Sequence, residues 1–510
     1  MKKGSITPFC AMCLMLVSSV VFVLLESARI YGLDYFASLK AEAGMDSLCA
    51  EYQPLLWEQY GLLMLDGAYG TEHFSEDYLT ERLSDLIFRQ IKKEDKFLQN
   101  GLDLFQIDLM ETELEGYALA TDQQGKLFLK YVAERMKEEL PIGVAYNIYE
   151  RYQMSYVTQS DNSEFVIKEA IETLQWAKSS KWNEIENKAE EAETEEEKEQ
   201  AWAERWVFDS SKIRMLEKLL ETVSEIKAKG VLNMIIGEPS QLSSRTSKPE
   251  TYIAERDKKE GTICYTGEDN WYNRLLVLEY LDKYFSCYGD EKDEHYLAYE
   301  MEYVLAGKDM EWKNLEAVFE KVLFVREMAN MTYLLKDTEK MQQAENLAMA
   351  IALLIGENPA VVRVIQAGII SVWAYAESIL DMRALVSGEK IPVMKTDGEW
   401  TLELLNLLDV FQVDLKAKKC EEGMSYKEYL KLLLLTEQDE KRGCRMLEVM
   451  EMSLHKVSDY KNCQMNQMIL AIQCQFHFES KPIFFSLMTI GDSYSGGFLF
   501  LKEELRSYVP

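Results

Sequence analysis

One stretch near the start of the chain constrains its topology more than any other feature. Residues 6–25, ITPFCAMCLMLVSSVVFVLL, contain no charged side chain. At a rise of about 1.5 Å per residue, a helix of this length crosses a hydrocarbon core of about 30 Å. The sequence therefore predicts a transmembrane helix, and the lipid bilayer is the first partner that we expect.

The charges on either side of this stretch predict its orientation. Lys2 and Lys3 precede it, whereas Glu26 is the first charged residue that follows. Basic residues favour the cytoplasmic side of a membrane. We therefore expect a single-pass protein of the cell membrane, with a cytoplasmic N-terminus and an extracytoplasmic bulk.

A cleaved signal peptide is the alternative interpretation of the same segment. Signal peptides also combine a basic start with an apolar stretch, but that stretch is usually about 7–15 residues long. The exit sequence VLLESARIYG places Glu26 two residues before Ala28, which fits poorly with the small residues of a cleavage site. The sequence thus favours a retained anchor.

The rest of the chain is expected to adopt an α+β fold that is mainly helical. Only 25 glycines and 9 prolines occur among 510 residues, so residues that form turns are scarce. The transmembrane helix is predicted to continue into water as far as Pro54. Alternating patterns predict strands within residues 102–121 and at 471–479, and the latter is predicted to form a terminal β-hairpin with residues 482–490.

A second very apolar region, residues 346–380, has the length of a membrane segment. Gly356 and Pro359 interrupt it, and its longer half contains Arg363 and Gln366. Polar residues of this kind are costly in lipid. Two helices in the core of a folded unit are therefore favoured over a second membrane span.

Composition divides the chain into five consecutive ranges. They are the cytoplasmic tip and anchor (1–29), a membrane-proximal α+β region (30–160), a helical hairpin or coiled-coil arm (161–240), a linker (241–264), and a mainly helical C-terminal domain that ends in the β-hairpin (265–510). Seven glutamates between Glu190 and Glu199 predict a solvated tip for the arm, because they repel one another and resist burial.

Charge and motifs argue against several classes of function. With 87 acidic and 56 basic residues the formal net charge is -31, so nucleic acid is not an expected partner. The 4 histidines are too widely spaced for a zinc motif, and neither a P-loop nor a Gly-x-Gly-x-x-Gly pattern occurs. No nucleotide, metal or other cofactor is therefore expected.

The block IGDSYSGG at residues 490–497 is the strongest enzymatic alternative. It resembles the Gly-Asp-Ser block of a serine esterase family, in which Ser493 would be the nucleophile. Such a nucleophile needs a base beside it, and the short remainder of the chain contains no histidine. A loop beside the last strand is favoured, and we expect the chain not to be an enzyme.

Glu377 and Asp381 form a candidate interaction site in the second apolar region. They share one helical face, and like charges at this spacing destabilise a helix unless a cation compensates them. A salt-bridge network with Arg383 or Arg363 is the favoured interpretation. A ligand or partner site is the alternative.

Glu26 and Arg29 form a second candidate at the lipid boundary. They lie three residues apart on the predicted helix and are therefore able to pair on one face. An interfacial ion pair is favoured over a subunit-docking role. Within the membrane, the small residues Ala11, Ser18 and Ser19 would permit close approach of a neighbouring helix.

Several blocks of the sequence resemble an uncharacterised family of single-span membrane proteins from Gram-positive anaerobes. They are GSIT (4–7), LLESAR (24–29), EYQPLLWEQYGLLMLD (51–66), EYVLAGK (302–308), VWAYAESILDMRALVSGEKIPVMK (372–395) and GMSYKEYLKLLLL (423–435). That family is similar at its N-terminus to pilin-like subunits of Tad-type (tight adherence) pilus systems and is often encoded beside that machinery. The resemblance implies an envelope-assembly role, with protein subunits as partners.

The same resemblance implies a processing site. Prepilins are cut after a glycine just before the apolar helix, which here is Gly4, and Ser5 would become the first residue. Major pilins carry a glutamate five residues into the mature helix, where this chain has Phe9. The resemblance therefore implies a minor or accessory subunit, with residues 30–160 as its pilin-like region.

These features together predict a non-enzymatic, membrane-anchored component of a Tad-type pilus or secretion apparatus. A membrane-tethered module that binds an envelope ligand is the alternative. A surface hydrolase that uses Ser493 is a remote third interpretation.

Overall fold

The computed structural model describes most of the chain and is mainly helical. The described residues are 6–71, 73–95, 105–139, 163–209, 212–230, 232–237, 239–256, 259–263, 270–355, 359–411, 415–420, 422–485 and 496–509. The helices are α1 (Ile6–Cys49), α2 (Pro54–Tyr60), α3 (Glu76–Asp95), α4 (Lys126–Glu139), α5 (Ser163–Glu191), α6 (Glu195–Asp209), α7 (Lys212–Lys229), α8 (Leu232–Ile235), α9 (Trp271–Tyr284), α10 (Glu300–Ala306), α11 (Glu311–Lys336), α12 (Thr338–Ile355), α13 (Pro359–Val386), α14 (Tyr426–Thr436) and α15 (Asp439–His455). The strands are β1 (Leu65–Asp66), β2 (Ile107–Leu119), β3 (Met468–Ser480) and β4 (Phe498–Ser507).

The chain forms two compact units, and each is assembled from separated segments. Unit 1 comprises Met1–Leu140, Pro249–Tyr280 and Asp439–Pro510, and unit 2 comprises Pro141–Lys248 and Leu281–Gln438. The sequence instead indicates consecutive ranges. The chain passes from unit 2 back to unit 1 after Lys248, inside the range that the sequence indicates as a linker.

Helix α1 has two halves with different surroundings. Its first half is apolar and exposed, and none of its most apolar 18-residue window is buried. In the second half, Leu33, Ala37, Ala41 and Met45 recur every four residues and are fully buried. The predicted long apolar helix and its continuation beyond Leu25 are therefore confirmed. By length and composition the helix is able to span a membrane, although a signal sequence has the same properties.

A small antiparallel sheet in unit 1 packs against the second half of α1. Strand β3 is central and pairs with β2, with β4 and, at one end, with the two-residue β1. Because successive side chains of a strand alternate, Phe476 and Phe478 point to the core that Leu33 and Ala37 of α1 share. Helix α3 contacts both α1 and β2 and closes this core.

The strand predictions are confirmed in part. Strands β2 and β3 lie within or over the two alternating stretches, and β3 is followed by an antiparallel partner as predicted. The partner that the structure describes is β4, which begins at Phe498, and residues 482–485 of the predicted second strand are not extended. Residues 482–485 form an irregular turn, in which Phe484 contacts Phe22 and Phe485 contacts Phe498. Residues 486–490 lie outside the described part of the chain.

Unit 2 is built around the apolar helix α13. This helix contacts α5, α11 and α12. A Cβ atom on Gly368 would lie 2.6 Å from the Cβ of Ala170, so only glycine lets α5 and α13 approach this closely. Although α13 is long and apolar enough to span a membrane, 61% of its most apolar window is buried, which agrees with the predicted core helix.

The region predicted as a helical arm is helical but does not stand alone. Helices α5, α6 and α7 occupy it, and α5 packs against α6, α7 and α13. A coiled-coil geometry stays a prediction. All seven glutamates of the predicted acidic tip are exposed, around the turn between α5 and α6.

Candidate functional site

Unit 2 contains a cluster of four buried charges, which we call the buried charge cluster. Glu377 and Asp381 come from α13, Arg326 comes from α11, and Lys395 lies in the loop after α13. None of the four is more than 5% exposed. Two carboxylates and two cations make the cluster formally neutral, as burial of charge requires.

Asp381 lies between the two cations. Its Oδ2 is 2.9 Å from Nη2 of Arg326, and its Oδ1 is 2.6 Å from Nζ of Lys395. Lys395 also forms an ion pair with Glu377. Burial works to raise the pKa of Asp381, but the charges of Arg326 and Lys395 outweigh it, so this pKa lies below its ordinary value.

The remaining polar atoms of the cluster bind the loop that follows α13. Glu377 accepts hydrogen bonds from the backbone N–H groups of Thr401 (3.0 Å) and Leu402 (2.9 Å). Nη1 of Arg326 donates to the carbonyl oxygens of Pro392 (2.7 Å) and Val393 (2.9 Å). The cluster therefore fastens this loop to α11 and α13, which is a structural role.

Two further side chains complete the hydrogen bonding around Arg326 and Asp381. The Tyr429 hydroxyl lies 2.9 Å from Nη1 of Arg326, and Nδ2 of Asn330 donates to Oδ2 of Asp381 at 2.9 Å. Both residues are buried. Helix α14, which carries Tyr429, is thereby joined to the same network.

The cations of the cluster differ from those that the sequence analysis names. Arg383 follows Asp381 by two residues, and positions two apart point to different sides of a helix. Its guanidinium instead donates to the carbonyl oxygens of Met234 (2.7 Å) and Leu415 (3.1 Å). Arg363 is exposed. Arg326 and Lys395 carry no signal in the sequence, because only the tertiary fold brings them to Asp381.

Unit 1 holds a second group of buried polar residues at the end of the apolar half of α1. Glu26 is fully buried and Arg29 is 7% exposed, and Nη1 of Arg29 lies 2.6 Å from Oε1 of Glu26. Nη2 of Arg29 donates to Oγ of Ser480 (2.6 Å) and to the carbonyl oxygen of Phe105 (2.9 Å). The backbone N–H of Phe484 donates to Oε2 of Glu26 at 2.6 Å. We call these five residues the exit joint.

The exit joint fixes the ends of β2 and β3 to α1 within one turn of the end of the apolar stretch. Ser480 ends β3, and Phe105 lies just before β2, so the ends of two strands bind one ion pair. The Glu26–Arg29 pair has the helical spacing that the sequence indicates. Its contacts with Phe105, Ser480 and Phe484 are set by the fold, and nothing in the local sequence indicates them.

A buried acid in unit 2, Glu302 on α10, was not a candidate from the sequence. Its Oε1 accepts hydrogen bonds from the Tyr426 hydroxyl (2.9 Å) and the Tyr288 backbone N–H (3.0 Å). Burial raises the pKa of Glu302 to about 7, which these hydrogen bonds only partly oppose. Its charge state therefore changes near neutral pH.

Other candidates from the sequence lie where the structure gives no geometry. Gly4, Ser5 and Ser493 are outside the described residues. Within the described part of the chain, no group of three or more histidine, cysteine, aspartate or glutamate side chains is arranged to hold a metal ion.

Comparison with known proteins gives one match. The model of a family of unknown function, DUF5702, matches residues 209–480. The matched range contains the whole buried charge cluster and ends at Ser480, a residue of the exit joint. Searches of curated proteins and of solved structures found no match.

Proposed function

The chain belongs to the DUF5702 family of unknown function, and we propose that it is a non-enzymatic, single-pass membrane protein that serves as a pilin-like or accessory component of a Tad-type pilus or secretion apparatus. Its N-terminus is cytoplasmic and its two folded units are extracytoplasmic in this proposal. The division of α1 into an exposed apolar half and a half packed on a sheet is the observation that carries it.

The exposed half of α1 supports a retained anchor. Leu14 and Leu16 are 69% and 66% exposed, and their neighbours along residues 6–25 are also apolar. A continuous apolar surface of this kind is unfavourable in water and is covered by lipid in a membrane. Small residues such as Ala11 and Ser18 on the same helix would let a neighbouring helix pack closely.

The packed half of α1 supports an assembly role. The helix runs without interruption over 44 residues, and the exit joint fixes unit 1 to it close to the lipid boundary. A folded unit held in this way has a defined position relative to the membrane. A subunit of an envelope apparatus requires such a position, whereas a freely tethered module does not.

The buried charge cluster supports a structural interpretation of unit 2. All four charges are paired, and two of them, Arg326 and Glu377, bind backbone groups of the loop that carries Lys395. A catalytic acid or base must reach a substrate, and these side chains are enclosed. The cluster therefore fits a non-enzymatic subunit.

The N-terminal sequence and intact mass of the protein from its own membranes test the proposal. A chain that begins at Ser5 is expected and would indicate prepilin-type processing. The variant Gly4→Val should abolish this start, whereas the control Gly32→Ala, in the folded half of α1, should retain it. A chain that begins at Met1 or Lys2 would favour the membrane-tethered binding module, and one that begins near Ala28 would overturn the anchor.

A further inference from the structure

We propose that the end of unit 1 around the exit joint is a second membrane-contact surface, in which Phe484 and Leu499 enter the interfacial layer of the bilayer beside the anchor. This proposal rests on the proposed anchoring of residues 6–25. It concerns a surface of the folded unit and not the anchor helix itself.

Helix α1 gives the depth of the surrounding residues. Leu25 ends the apolar stretch, and Glu26 follows about 1.5 Å farther along the helix axis. The Phe484 backbone N–H lies 2.6 Å from Oε2 of Glu26, so this part of the turn is level with the hydrocarbon boundary.

The side chain of Phe484 points farther towards the membrane. Its ring lies 6.3 Å from the ring of Phe22, with an angle of 22° between the two planes. Phe22 precedes Leu25 by three residues and is therefore about 4.5 Å inside the boundary. The Phe484 ring thus lies against a part of α1 that lipid surrounds.

Other apolar side chains are exposed at the same level. Leu499 is 78% exposed and pairs in register with Glu479, next to Ser480 of the exit joint. The Phe105 carbonyl oxygen accepts a hydrogen bond from Arg29, but the ring of Phe105 stacks on Phe36, about 16 Å beyond Leu25, and lies outside this surface. Tyr31 is 80% exposed about 9 Å beyond Leu25, at the outer side of a headgroup layer that is roughly 5–8 Å thick.

The bilayer is the occupant that fits this surface. Aromatic side chains are favoured at membrane interfaces, and Lys481, exposed in the same turn, has the charge that pairs with lipid phosphates. The surface is continuous with residues 6–25, which already lie in lipid in the proposed function. The exposed residues therefore need no protein partner, and their contact with lipid would hold unit 1 against the membrane.

Photo-crosslinking of the full chain in phosphatidylglycerol nanodiscs tests this surface. The photoreactive residue p-benzoylphenylalanine is placed at position 484 or, in a second variant, at the exposed position 499, where it is easily accommodated. Position 21 in the anchor is the positive control. Position 57, where Trp57 is exposed on α2 beyond the outer end of α1, is the negative control.

The intact mass of the chain after irradiation shows whether a lipid has been attached covalently. Lipid adducts at positions 21, 484 and 499, and none at position 57, are expected. Lipid adducts at 21 without adducts at 484 and 499 would overturn this surface and leave the anchor intact. No lipid adduct at 21 would overturn the anchoring on which it rests. Crosslinks from 484 and 499 to a second copy of the chain would assign the surface to a protein interface instead.

Discussion

The exit joint in unit 1 and the buried charge cluster in unit 2 both enclose an ion pair, but they are assembled differently. Glu26 and Arg29 are three residues apart on one helix, and strand ends are placed over them. Asp381 and Arg326 are 55 residues apart and meet only when α11 and α13 pack. The Glu26–Arg29 pair is able to form with its helix and is then buried by the strand ends. The Asp381–Arg326 pair forms only when the whole of unit 2 folds.

The surroundings of the two sites also differ. In the exit joint, a backbone N–H and a serine hydroxyl provide much of the hydrogen bonding. In the cluster, Asp381 faces two full cations with no solvent access. Loss of one charge is therefore expected to cost more in the cluster, because Asp381 compensates two buried cations, whereas Glu26 without Arg29 keeps the Phe484 N–H as a hydrogen-bond donor.

The variant Asp381→Ala is expected to give the largest effect. It leaves Arg326 and Lys395 with one carboxylate between them, which costs about 3–5 kcal/mol of the free energy of unfolding. Urea unfolding of the full chain in detergent, followed by far-UV circular dichroism, measures this loss in the transition of unit 2. The control Asp397→Ala removes the exposed partner of Lys340 and should leave the transition almost unchanged. Equal effects of the two variants would contradict the cluster as the support of unit 2.

Glu302 sharpens the comparison, because it is a buried acid that forms no ion pair with any cation in the described part of the chain. A proton binds the folded state more tightly than the unfolded state, so this residue lowers stability as pH rises from about 4.5 to about 7. Over this range the free energy of unfolding falls by roughly 3 kcal/mol, because one pKa unit corresponds to about 1.4 kcal/mol. The variant Glu302→Gln should flatten this part of the pH profile of unfolding. Asp381, whose pKa is lowered, contributes in the opposite sense and loses its contribution only in acid.

If Glu302→Gln leaves the slope between pH 4.5 and 7 unchanged, the slope has another origin. The variant Glu339→Gln, an exposed acid at the start of α12, is the matched control and should follow the parent chain throughout.

The variant Arg29→Ala breaks the exit joint and is expected to give the smallest of the three effects. It removes the charged partner of Glu26 and two further hydrogen bonds, but the Phe484 N–H remains, so the cost is about 2 kcal/mol. Thermal unfolding of unit 1 in detergent measures it. Arg89→Ala, which removes an exposed pair with Asp85, is the control. A loss as large as that of Asp381→Ala would remove the distinction between the two sites.

Sequence was sufficient where one segment determines its own structure. The uncharged stretch predicts the first half of α1, and alternation of apolar and polar residues predicts β3. The Glu26–Arg29 pair follows from helical spacing alone. Each of these features is decided by residues close together in the chain, and the structure contains all three.

Sequence was insufficient where distant segments meet. Strand β4 has an inverted pattern, because Leu499 and Leu501 are exposed while Lys502 and Arg506 lie on the side of α1. The usual assumption that the apolar side chains of a strand face the core would therefore assign the wrong face of β4 to the core. The partners of Asp381 and the division into interleaved units depend on contacts that no single stretch of sequence contains.

The interleaving of unit 1 has a consequence for the order of biogenesis. Helix α1 is synthesised before β3 and β4, which cover its second half and begin more than four hundred residues after its end. Strand β2 has to wait for β3 across more than three hundred residues, and such non-local pairing is slow. Unit 1 therefore cannot close around the second half of α1 until β3 and β4 have been synthesised. A product that ends before β3 exposes the apolar side of the second half of α1, and such a surface is prone to aggregation.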